Sequence, residues 1–166
     1  MVRRVAFRRA VLGGVVGAAA WEVSVRALIL AEVPMFDLVR VLGTMIIGGG
    51  ALLWEWWPIG MAMHALVGAV WAVFYAYFFW SLMDIRPIFQ GLIFSAFPTL
   101  LAGIVMIPQM DLMLDGAHPE LGVFATSLGM LGPVSVILGH LIYGAVLGTI
   151  YVRPVGYPAG TKIVYG

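Results

Sequence analysis

Few residues of this chain have side chains that could do chemistry, and they are widely spaced. His64 and His140 each sit inside an otherwise apolar stretch, HALVGAVWAVFY and HLIYGAVLGTIY. An ionisable residue within a membrane span is costly and marks a candidate functional position. Two imidazoles on facing helices of a bundle are the donor set for bis-histidine haem b, with glycines making room for the macrocycle. The competing role is structural: a neutral histidine donating to a backbone carbonyl or to the hydroxyl of Tyr75, Tyr143 or Ser135. Met61, Met63 and His64 form a second candidate set, because thioether and imidazole are soft ligands suited to Cu(I). Methionine is equally an ordinary filler of apolar cores, and Met106, Met110 and Met113 recur at helical spacing. Glu22 and Arg26 are four residues apart, so they share a helix face and can form an intramembrane ion pair. Asp111, Asp115, His118 and Glu120 make an acidic loop that could dock a basic carrier, but their spacing matches no established divalent-ion motif.

The composition says what must position these groups. Of 166 residues, 63% are hydrophobic and 10% charged, against about 25% charged in a soluble domain. Mean hydropathy is +1.04. One soluble core cannot hide that much apolar surface, so the expected solvent is the lipid bilayer. With no cysteine, disulfides, thiolate catalysis and iron–sulfur ligation are excluded. No nucleotide-binding loop, HExxH motif or Ser/His/Asp arrangement occurs. The N-terminal basic cluster is explained by topology and anionic lipid rather than nucleic acid.

The expected fold is all-α: a polytopic four-helix transmembrane bundle with spans at about 10–31, 57–83, 86–108 and 124–152. The start MVRRVAFRRA followed by apolar residues resembles a signal peptide, but the apolar run continues to Leu30 and is read as an uncleaved first helix. Residues 34–53 are apolar but carry Asp37, Arg40 and three consecutive glycines, so an interfacial or re-entrant helix is expected there. Seven of the nine basic residues, Arg3, Arg4, Arg8, Arg9, Arg86, Arg153 and Lys162, fall on one side of four spans. The positive-inside rule then puts both termini in the cytoplasm of a cell with this chain in its inner or plasma membrane. A fifth span would scatter that charge. Residues 153–166, rich in proline and glycine, are expected to form an extended cytoplasmic tail.

The chain also repeats itself. His64, Gly68, Ala69, Val70 and Tyr75 match His140, Gly144, Ala145, Val146 and Tyr151 at a spacing of 76 (64 to 140), and Arg9 and Gly14 match Arg86 and Gly91 at 77 (14 to 91). Such an echo implies two parallel helical hairpins related by an axis along the membrane normal. Gly13 and Gly17, like Gly144 and Gly148, are small-xxx-small pairs, and Gly68 sits one turn after His64; all are candidate helix-packing positions. From residue 57 onward, MHALVGAVWAVFYAYFFW, VMIPQM and GPVSVILGHLIYGAVLGTIY resemble an uncharacterised family of small multi-pass bacterial and archaeal membrane proteins. That resemblance implies a compact four-helix domain and no particular reaction. The expected function is a non-catalytic membrane subunit packed within a larger assembly or a homo-oligomer, with respiratory or photosynthetic electron transport the assigned setting. The alternatives are a haem b protein using His64 and His140, and a copper or small-solute transporter.

Overall fold

The structure is a computed structural model that describes residues 5–80, 82–83, 85–113 and 120–151, of which 111–113 by backbone alone. Arg3, Arg4, Asp115, His118, Arg153, Lys162 and the tail, and the side chain of Asp111, lie outside the described residues. The rest is helical, with no strand among the described residues. The helices are α1 (Phe7–Leu30), α2 (Leu38–Ile47), α3 (Leu53–Phe74), α4 (Pro87–Leu101), α5 (Ile107–Met113) and α6 (Leu131–Ile150). A π-helical turn, Tyr75–Phe79, extends α3, and another, Ala102–Met106, joins α4 to α5. Four continuous apolar helices of 24, 27, 24 and 20 residues result. At 1.5 Å per residue each reaches about 30 Å, the thickness of a bilayer's hydrocarbon core. The chain is thus a polytopic all-α bundle.

The second span runs from Leu53 to Phe79 rather than 57–83, and the start of the last span differs most from the sequence reading. The last span begins at Leu131, not 124, because Val123–Leu128 is a 3-10 segment in which Phe124 and Ala125 are left-handed (φ 55° and 57°). Its ends are turned by Gly122 and Gly129 at φ 68° and 72°, a conformation glycine adopts without penalty. Phe124 points back into the bundle, its ring packed where Gly103 has no side chain. The segment 34–53 contains one ten-residue helix, α2, about 15 Å long and too short to span. It packs on α3 through Gly43 and Gly60, whose missing side chains let the α2 and α3 backbones touch at Trp56 and Val39.

The bundle is built by small residues. α1 crosses α3 where Gly14 and Gly68 face each other, and α4 crosses α6 where Gly91 and Gly144 do the same. These are the residues paired by the internal repeat, so each hairpin closes on its own copy of one glycine contact. Between hairpins, α1 packs on α6: Gly13 meets Leu147 and Ile150, Gly17 meets Tyr143, and Gly139 receives the Trp21 ring. Gly148 lies against Pro87. The five glycines singled out for packing, Gly13, Gly17, Gly68, Gly144 and Gly148, all lie at helix contacts.

The repeat predicts a second interface, α3 against α4, equivalent to α6 against α1. Among the described residues that interface is not closed by backbone packing. The repeat spacing places Phe94 where the first hairpin has Gly17, and Trp71 and Phe74 where the second has Leu147 and Ile150. Trp71 and Phe74 meet Phe94 and Phe97 between the two helices, with ring centroids 5.6 to 6.3 Å apart. Bulky rings replace glycine, and the two helices stand apart.

Candidate functional site

The gap left between α3 and α4 is a cleft of about 390 Å³. That is large enough for a small-molecule ligand. Its mouth lies on the outer surface of the bundle, among Leu66, Val67, Val70, Leu101 and Met106, each more than a third exposed. Trp21, His64, His140 and Tyr143 form its polar floor. Phe36, Leu38 and Leu42 close one end, so α2 is a wall of the cleft as well as a strap across the bundle. The facing wall includes Pro98 and Leu101 of α4 and Ala102 and Met106 of the π-turn that follows it. Proline and a π-turn both interrupt regular helical hydrogen bonding, and π-turns are frequent at functional sites.

The structure brings His64 and His140 together, around Trp21. The indole lies 4.9 Å from the His64 ring, edge to face, and 4.5 Å from the His140 ring, centroid to centroid. Both histidines are buried, at 4% and 7% exposure. His140 Nδ1 lies 2.7 Å from the Val136 carbonyl oxygen. A carbonyl only accepts, so Nδ1 carries the proton and Nε2 carries the lone pair of the neutral ring. His64 is different. Its Nδ1 is fully buried and has no hydrogen-bond partner among the described residues. The hydroxyls considered as partners are committed elsewhere. Tyr143 donates to Gly68 O at 2.6 Å, Ser135 accepts from the Phe36 amide at 2.9 Å, and Tyr75 reaches Gln90 at 3.4 Å.

This geometry does not fit bis-histidine haem. Trp21 occupies the position against both imidazoles that a macrocycle would need. The copper set is not assembled either. Met61 and Met63, two residues apart on α3, point to different sides of the helix; Met63 packs against the buried cluster that contains Phe36, Leu42, Ile107 and Val136, and neither methionine lines the cleft. Met106 and Met110 do line it, beside His64. Among the described residues no group of three His, Asp or Glu is placed to hold a metal.

Glu22 and Arg26 form the expected ion pair, with Nη2 to Oε1 at 2.8 Å. The pair has a third member that spacing along one helix could not show. Asp37 takes both guanidinium nitrogens of Arg26 in a fork, at 2.7 and 2.8 Å. It also caps α2 by accepting from the Arg40 amide at 3.0 Å. Trp57 donates its indole N–H to Glu22 at 2.9 Å, and the guanidinium lies 5.5 Å from the Trp56 ring. The network joins α1, α2 and α3 at the end of the bundle where α2 lies. Its role is to hold α2 in place.

Fold and site together define a polytopic membrane protein with a lateral, mostly apolar cleft floored by two imidazoles. Comparison with family models, curated proteins and solved structures returned no match.

Proposed function

We propose that this protein is a non-catalytic, multi-pass membrane protein that takes a lipid-soluble small molecule from the bilayer into the cleft between α3 and α4. The observation that carries this reading is the buried His64 imidazole, left without a partner on the floor of a cleft whose mouth faces lipid. A buried polar atom without a partner costs about 1–3 kcal/mol. With Nδ1 sealed, Nε2 is the His64 atom that a ligand entering sideways from the membrane can engage, so that one polar end of the ring is satisfied. The exposed helix faces also suit a subunit of a larger assembly, for which electron transport is the expected setting, but lipid alone covers such faces. The two readings are compatible, and the cleft is what distinguishes this bundle from a plain scaffold. Cytoplasmic termini, with α2 on the opposite face of the membrane, follow from the arginine distribution.

The test is native mass spectrometry of the protein released from nanodiscs made with its host's lipids. One small lipophilic adduct per chain is expected on the unaltered protein. Val67→Trp, which fills the mouth from a half-exposed position, is expected to lose the adduct while keeping its helical circular dichroism. An unaltered protein that emerges bare, or an adduct indifferent to Val67→Trp, would sink the proposal.

A further inference from the structure

We infer that the cleft selects a neutral lipid bearing a hydroxyl group, an alcohol or phenol on an apolar body; this rests on the cleft being a ligand site. Among the described residues the lining contains no Lys, Arg, Asp or Glu. A phosphate or carboxylate head would therefore enter an apolar space without a counter-ion, at high cost. Arg26, on the same helix as Trp21, is committed to Glu22 and Asp37. The ligand is neutral, and its polarity must match two imidazoles.

Those two imidazoles are complementary. His140 spends its N–H on Val136 and offers the lone pair of Nε2, so it wants a donor. His64 has its Nδ1 sealed and unpartnered. An orphaned N–H is the rarer and costlier defect, an orphaned acceptor the cheaper one. The proton of His64 therefore belongs on Nε2, and that ring wants an acceptor. One floor thus presents one donor and one acceptor, on two imidazoles that both pack against Trp21. A hydroxyl is the smallest neutral group that gives and takes a hydrogen bond at once. A carbonyl or an ether satisfies only His64 and leaves the His140 acceptor without a donor. The apolar body of the ligand lies along Val67, Val70, Leu101 and Met106 towards the mouth.

The experiment compares 4-nonylphenol with its methyl ether, which keeps the shape and removes the donor. Uptake of each radiolabelled probe by protein-loaded nanodiscs is measured against empty nanodiscs. The phenol is expected to bind the unaltered protein roughly tenfold more tightly than the ether, the worth of about one hydrogen bond to a buried acceptor. His140→Phe is expected to abolish that preference without reducing ether uptake, and Val67→Trp to abolish uptake of both. The comparison on the unaltered protein needs no variant to fold. Equal uptake of phenol and ether, both blocked by Val67→Trp, overturns hydroxyl selection and leaves the cleft as a ligand site. No uptake of either probe above empty nanodiscs overturns the cleft reading and this inference with it. A stable dimer that turns monomeric in Val67→Trp, with no probe bound, assigns the cleft to a second copy and overturns both.

Discussion

Arg26→Leu is expected to cost about 3–5 kcal/mol of stability, the penalty for stranding partly buried charge. Arg26 is the single cation between two carboxylates, with Glu22 only 6% and Asp37 19% exposed at the side chain. Without it, like charges face each other and the fork to Asp37 is lost. The α2 cap goes with it, because the Asp37 carboxylate that accepts from Arg40 N is oriented by the guanidinium. The loss is measured as a shift in the detergent-denaturation midpoint. The control is the triple substitution Glu22→Gln, Arg26→Leu, Asp37→Asn, which leaves no uncompensated charge. It is expected to recover more than half of the loss, since replacing a whole buried ion network is far milder than breaking it. A triple variant no more stable than Arg26→Leu would show that packing of the long side chain, not charge, is what Arg26 contributes. Because α2 walls the cleft, Arg26→Leu is also expected to weaken capture of a lipid-soluble probe.

The order of helices and the glycine contacts were legible in the sequence, for physical reasons. Four long apolar runs admit one solution in lipid, where every backbone group must be satisfied within its own helix. The repeat was legible because Gly14, Gly68, Gly91 and Gly144 do the same job twice, and only glycine does it. The failure of the repeat was equally present in the letters, as Phe94 standing at the Gly17 position, but a substitution becomes a cleft only when the helices are placed. Pairing Glu22 with Arg26 needed only a helical turn. Adding Asp37 needed the chain to leave α1, reverse and start α2, a turn that passes through Glu32 at φ 62°. Spacing cannot encode that. Likewise, the sequence raised His64 and His140 as equals. The structure separates them by one hydrogen bond, to Val136, which depends on which way each ring faces its own helix.

The glycine contact that recurs in both hairpins makes the crossings the place to test the architecture. Gly91→Ala is expected to destabilise by about 3 kcal/mol, the upper end of ordinary overpacking. A methyl there would fall on the carbonyl oxygen of Gly144, and one at Gly144 on that of Gly91. Neither obstacle is a side chain that can rotate away, so the helices themselves must part. Gly14→Ala meets the Gly68 carbonyl in the other hairpin, and the cost is expected to be similar. Gly13→Ala is the instructive contrast: its new methyl would come closest to the Cδ1 tip of Leu147, at 3.0 Å, with the Ile150 side chain at 3.4 Å, and a small side-chain rotation absorbs it. Gly50→Ala, with nothing within 4 Å, is expected to be neutral. Midpoints of unfolding in a denaturing detergent, followed by far-ultraviolet circular dichroism, rank the series. If Gly91→Ala and Gly14→Ala fall no lower than Gly13→Ala, the crossings yield to a methyl, and backbone contact at paired glycines is not what closes the two hairpins.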